Sequence, residues 1–202
     1  VVLDKFKVQN KNQKLIKILN LDGKKIFAYI GTHGMAHGLS FIINALPEIN
    51  KKLPDIKFLF IGDGAEKNNL VKEAERLKLE NIIFLPSVDK HEIIQYLSII
   101  DVAIVNLKKS DTFKSVIPSK IFEAAALQKP ILLGVEGESK EMIESYGAGI
   151  CYDPENQLDF INACLEILKT DTYNKAKLNA EKLSKDFDRK KISLQLLNTI
   201  IK

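Results

Sequence analysis

Apolar residues along this chain come in two alternating rhythms. Short continuous runs at residues 25–31, 56–62, 81–85, 101–105, 131–134 and 149–152 show no alternation of apolar with polar positions, as expected of strands buried on both faces. Between them the spacing changes to three and four. Residues 39–49, 66–79 (with Leu70, Ala74 and Leu77 on one face), 91–99, the segment after Pro118, and 140–146 read as amphipathic helices. Three further helical segments follow at 158–169, 171–183 and 189–201. Strands alternating with such helices predict an α/β fold with a doubly wound, parallel, six-stranded sheet. Ligands of such sheets lie beyond the carboxyl ends of the strands. The loops expected to carry chemistry are therefore 31–38, 62–64, 86–89, 106–118 and 134–139.

The opening segment finds no strand partner. Residues 1–21 are read as a linker with a helix over 11–19, joining an upstream domain absent from this chain. Residues 22–185 form the sheet domain, and residues 186–202 a terminal helix expected to pack on the absent domain. The start at Val1-Val2, without an initiating Met, is read as a fragment of a longer polypeptide. No apolar run approaches the ~18 residues of a membrane span, the composition is that of a soluble globular protein, and a cytoplasmic location is expected. Cys151 and Cys164 lack metal-ligand spacing and are expected to be reduced and buried. The net charge is +4, yet Arg76 and Arg189 are the only arginines. Lysines sit beside glutamates, as in Glu66-Lys67 and Lys72-Glu73. A nucleic-acid reader relies on arginine forks and basic stripes, so no nucleic-acid partner is expected. A peripheral contact with an anionic membrane surface is compatible with the basic balance.

Candidate chemistry concentrates in Val116–Gly134. Pro118 suits a first helical turn, Ser119 or Ser115 is expected to cap free amides, and Lys120 places a cation at an anion-attracting helix start. Glu123 lies one turn further, and Gln128-Lys129-Pro130 ends the helix. A lysine, a carboxylate and helix amides at one sheet edge suit a diphosphate and a sugar hydroxyl. Gly31-Thr32-His33-Gly34-Met35-Ala36-His37-Gly38 follows the first strand, and its glycines let the backbone approach a ligand. The spacing is neither the dinucleotide fingerprint nor a Walker loop. His33 and His37 are candidate donors to phosphate or sugar oxygens, in competition with solvated loop histidines. Neither has a third metal ligand nearby, so no metal is expected. Backbone groups at Ser87 and Val88 suit the edge of a base, and Thr112 lies in a polar loop placed to meet ligand hydroxyls, in competition with a mobile surface loop.

These motifs, in order, resemble the C-terminal domain of glycosyltransferase family 4, two-domain enzymes of the GT-B fold. Leu3-Asp4-Lys5-Phe6 is similar to the inter-domain entry. Tyr29-Ile30-Gly31 and Gly38-Leu39-Ser40 resemble the first glycine loop. Phe60-Ile61-Gly62-Asp63-Gly64 resembles the strand ending in Gly-Asp-Gly, and Asn81–Val88 the base-binding turn. Glu123-Ala124-Ala125-Ala126-Leu127-Gln128-Lys129-Pro130-Ile131 resembles the Glu-Ala-Met-Ala-x-Gly-x-Pro-Val pattern, and Gly147–Pro154 the late strand and turn. The Pro-Ser-Lys-x-x-Glu version resembles a branch building bacterial capsule and O-antigen polysaccharides, near the L-fucosamine transferases.

The resemblance implies the Rossmann-like C-terminal half of a GT-B fold and a retaining glycosyltransferase. Its donor would be a UDP-sugar, an N-acetylated hexosamine or deoxyhexosamine. Its acceptor would be a glycan on a polyprenyl diphosphate at the inner membrane face. Glu123 would bind the ribose, Lys120 and the helix amides the diphosphate, and Ser87 and Val88 the base. No metal or other cofactor is implied. Three positions depart from the pattern. Ser115 stands where the first glutamate of Glu-x7-Glu belongs, and Thr32 and His37 replace the usual arginine and lysine. Lys120 and a protonated His37 are expected to compensate. No catalytic base is assigned, since the residue on the acceptor side belongs to the absent domain, and the chain alone is expected to be inactive. A nucleotide-sugar 2-epimerase of the same fold and a non-catalytic nucleotide- or carbohydrate-binding module are the alternatives.

Overall fold

A computed structural model describes residues 2–3, 6–89 and 91–200. Asp4 and Lys5 of the entry motif, and residues 201–202 at the chain end, lie outside the described residues. The strands are β1 (Lys25–Ile30), β2 (Ile56–Ile61), β3 (Ile82–Leu85), β4 (Val102–Asn106), β5 (Ile131–Gly134) and β6 (Gly149–Cys151). The helices are α1 (Gln13–Ile18), α2 (Leu39–Lys52), α3 (Lys67–Arg76), α4 (Ile93–Ile99), α5 (Lys120–Ala126), α6 (Glu138–Tyr146), α7 (Gln157–Ile167), α8 (Thr170–Asp186) and α9 (Arg189–Ile200). All strand pairs are parallel, in the order β3-β2-β1-β4-β5-β6. The expected six-stranded doubly wound sheet is what the chain forms.

Period-two alternation sends the strand residues to two cores. Ile26, Ala28, Leu59 and Ile61 face one side, with Ile16, Leu97, Ile121 and Ile143 from α1, α4, α5 and α6. Phe27, Tyr29, Phe58 and Phe60 face the other, with Ile42, Leu70 and Phe160 from α2, α3 and α7. The helix expected as part of a linker is therefore built into the sheet domain. Ile16 and Leu21 are buried, Asn12 caps α1 by accepting from the Leu15 amide, and Lys11 pairs with Asp101 at 2.7 Å. At the other end, α9 exposes Ile192, Leu194, Leu196 and Leu197. No described helix is long and apolar enough to cross a membrane.

Candidate functional site

The strand order reverses between β1 and β4, so their crossovers diverge and open a crevice beyond the carboxyl edge. Lys120, the first residue of α5, reaches into it. Its Nζ donates to Tyr29 Oη at 3.0 Å and lies 4.5 Å from the centre of that ring. Tyr29 in turn donates to the carbonyl of Thr32 at 2.9 Å. Gly31, at φ +145°, adjoins the ammonium so closely that a Cβ there would overlap Nζ. Burial pushes the Lys120 ammonium down to about 8, with Glu123 pulling the other way. Lys120 and Glu123 share the wall of a cavity of about 20 Å³ with Ile30, Ile93 and Leu97. The structure thus brings Lys120 against Gly31, and Lys120 and Glu123 onto one cavity wall.

The loop after β1 is zipped to the loop after β2. Gly31 N–H donates to the Ile61 carbonyl (2.8 Å), His33 N–H to Asp63 (2.8 Å), and Glu66 N–H back to His33 (2.9 Å). Gly62 and Gly64 permit this, because a Cβ on either would run into the backbone of Gly31 or His33. The consequence corrects the reading of His33 as a solvated or ligand-facing side chain. Its ring is fully buried, packed near Tyr29, Phe60 and Phe84. Neither ring nitrogen has a partner among the described residues. Burial first, then the Lys67 charge, pushes its pKa down to about 4. His37 packs edge-on to Tyr29 at 5.8 Å. Burial and then the Lys120 charge lower its pKa from 6.5, which works against the protonated form expected of it at neutral pH.

Ser119 does not cap α5 either. It is itself helical (φ −57°, ψ −25°) and its side chain makes no cap bond; the chain is already turning at Pro118, whose carbonyl accepts from Ile121 N–H. Ser115 and Thr112 stay exposed. Their loop is fastened to the one after β5, through Glu138 N–H to the Lys114 carbonyl (2.8 Å) and Ser139 Oγ to the Val116 carbonyl (2.6 Å). Thr32 and Ser87 are exposed at the edge, and Gly34 and Val88 are half-buried there. Sequence reasoning missed three residues. Tyr29 holds Lys120, Lys67 Nζ clamps the ends of β2 and β3 through the carbonyls of Gly62 (2.7 Å) and Leu85 (3.0 Å), and Asn106 braces the glycine loop through the His37 carbonyl. All three read locally as ordinary strand or helix residues. Cys151 is half-buried rather than buried, Cys164 is buried, and both are free thiols. Burial pushes the Cys151 thiol up to about 12 and raises Cys164 as well, so neither is an activated nucleophile. Among the described residues no three His, Cys, Asp or Glu side chains gather as a metal site.

Residues 11–183 match the family model described as glycosyl transferases group 1. TuaH of Bacillus subtilis (strain 168), named as a teichuronic acid biosynthesis glycosyltransferase, is 30% identical over 138 residues, covering 64% of this chain and 34% of TuaH. The crystal structure of the C-terminal domain of the Francisella tularensis group 1 family protein LpcC superimposes with a TM-score of 0.77 at 19% identity, over 93% of this chain and 97% of that one. The Anabaena protein Alr3699/HepE, solved with UDP-glucose, superimposes with a TM-score of 0.79 at 22% identity, over 99% of this chain but 55% of HepE. The chain thus spans about a third of TuaH and about half of HepE.

Proposed function

The chain belongs to the group 1 glycosyl transferases, and on that premise we propose that it is the nucleotide-sugar-binding half of a retaining glycosyltransferase. The donor is a UDP-sugar, with an N-acetylated hexosamine or deoxyhexosamine as the sugar. The acceptor is a polysaccharide precursor of the capsule or O-antigen kind, carried on a polyprenyl diphosphate at the inner face of the cytoplasmic membrane, and the enzyme is of the L-fucosamine transferase kind. The acceptor side of the cleft belongs to a partner domain of the same polypeptide, on which the exposed apolar residues of α9 pack. No metal takes part. The UDP-glucose bound to HepE supports the base, and the teichuronic acid assignment of TuaH supports a polysaccharide product.

One observation carries the reading. Lys120 is a half-buried cation at the switch point, and among the described residues its only hydrogen bond is to a phenol. An ammonium has three donors, so a diphosphate entering beside Gly31 meets a cation able to turn toward it. Low surrounding polarity strengthens that attraction, and the arriving anion favours the charged form of the lysine. During transfer the same cation stabilises the charge that develops on the departing diphosphate. Glu123, one turn along α5, accepts from the ribose hydroxyls. The backbone of Gly31–Gly34 lies against the phosphates, with Thr32 and His37 beside it. Ser87 and Val88 offer backbone groups to the base, and Thr112, Ser115 and Ser119 face the sugar.

Calorimetric titration with UDP, GDP, ADP and CMP tests this. UDP is expected to bind with a Kd of roughly 10 µM to 1 mM, about 4–7 kcal/mol, and Glu123→Ala to weaken it by about 1–3 kcal/mol. Tighter GDP binding moves the donor to a GDP-sugar. No binding of any nucleotide, or affinity indifferent to Glu123, overturns the assignment of the site. Sugar transfer by the full-length polypeptide separates this reading from a binding module, and the absence of 2-epimer formation separates it from an epimerase.

A further inference from the structure

A buried relay of two hydrogen bonds crosses the sheet edge beneath the glycine loop. Tyr152, 2% exposed just beyond β6, donates its phenolic proton to Asn106 Oδ1 at 2.9 Å. Asn106, the last residue of β4 and 1% exposed, donates from Nδ2 to the carbonyl of His37 at 2.7 Å. The direction is fixed by chemistry. The His37 carbonyl can only accept, so the amide nitrogen faces it and the amide oxygen is left to accept from the phenol. Space for the pair exists because residue 134 is glycine; a Cβ there would overlap Asn106 Oδ1 and the Tyr152 ring. Two residues past Asn106, Lys108 N–H donates to the Ala36 carbonyl at 2.9 Å. These bonds tie a one-turn helix, Met35–His37, to the end of β4. That turn places the His37 ring against Tyr29, which holds Lys120.

We propose that Asn106, oriented by Tyr152, is a positioning residue that holds the glycine loop in the form that receives the donor's diphosphate. This rests on the donor-binding reading above. A loop backbone that must lie against phosphate oxygens cannot also search for its own conformation without loss of affinity. Asn106 supplies the buried tie from the far side, out of reach of the ligand.

Two variants of this chain test it: Tyr152→Phe, which removes one hydroxyl, and Asn106→Leu, which keeps a branched side chain of similar size without hydrogen bonds. Both are compared with wild type by UDP and UMP titration and by amide hydrogen exchange. UDP affinity is expected to fall about two- to tenfold in Tyr152→Phe and roughly 10- to 100-fold in Asn106→Leu. UMP affinity, which depends less on the loop, is expected to fall less, so the UDP-to-UMP ratio drops. The His37, Gly38 and Lys108 amides are expected to exchange faster while those of β1 and β2 keep their protection. An unchanged ratio, or exchange that rises evenly over the domain, overturns the proposal and makes the relay a plain packing element. If wild type binds neither nucleotide, the donor-binding reading falls first. Hydrogen exchange in Tyr152→Phe then decides whether the relay holds the loop at all, and unchanged loop exchange overturns that too.

Discussion

The two edges of the sheet each hold a half-buried lysine, and the pair teaches what separates a site from a scaffold. Lys129, at the amino edge, donates to the carbonyls of Ser98 (3.2 Å) and Ile100 (2.8 Å), closing the end of α4. Around it Asp101 accepts from Lys11 (2.7 Å) and from the Ile26 amide (2.9 Å), and Tyr173 donates to the Asp101 carbonyl (3.3 Å). Lys120, at the carboxyl edge, has one phenol and a ring face. Burial lowers both ammonium groups to about 8, so desolvation alone does not distinguish them. What distinguishes them is how completely their donors are used. The carboxyl edge also holds His33 and His37 nitrogens without partners, whereas the amino edge leaves only the Asn81 amide so, among the described residues. Of these groups, the Lys120 ammonium borders the crevice, while His33 is enclosed among aromatic rings.

The contrast can be broken most forcefully by acid. His33 has a pKa near 4 in the fold against an ordinary 6.5. Between those values the unfolded chain binds the extra proton, so stability is expected to fall as pH drops from 6.5 toward 4, by about 2–3 kcal/mol. Denaturant unfolding at pH 4 and pH 7 measures this, and His33→Phe, whose ring suits the surrounding aromatics, should remove His33's share of the fall. Loss of stability in that variant at both pH values would mean that the imidazole has a partner in the fold.

Exchanging the two lysines for methionine sharpens the comparison next. Lys120→Met should weaken UDP binding by about 2 kcal/mol through the lost charged contact. Folding stability should barely change, because Tyr29 keeps its bond to Thr32. Lys129→Met should do the reverse, costing about 1–3 kcal/mol of stability by stranding two carbonyls while leaving UDP affinity intact. Equal behaviour of the two variants in both assays would dissolve the distinction. The smallest effect is alkaline. Both folded lysines release their protons before the unfolded ones do, so stability should rise with pH between about 8 and 10, on the order of 1 kcal/mol for each once solvent screening of these half-buried groups is allowed for. The double methionine variant should flatten that rise in guanidinium titrations.

Continuous apolar runs announced the six strands because a sheet covered on both faces leaves no polar alternation. The Lys120–Glu123 pair was legible for a similar reason: helix period and a proline start fix their spacing locally. His33 was not, since its burial depends on a zipper between loops about 30 residues apart in sequence. Asn106 and Tyr152 carry no local signal at all. Asn106 ends β4 and Tyr152 follows β6, and only the parallel order of β4, β5 and β6, with a glycine between them, brings the amide and the phenol together. The serine caps failed because proline had already begun the turn that they were to start.

The zipper joining the first two loops has a kinetic meaning. By carrying the β1–β2 ladder past the strand ends, it makes the floor of the crevice a continuation of the sheet. An incoming donor then meets a surface built in advance, with no segment left to order after contact. Association should appear in stopped-flow as a single phase whose rate grows linearly with nucleotide concentration, without the plateau that a slow closing step imposes.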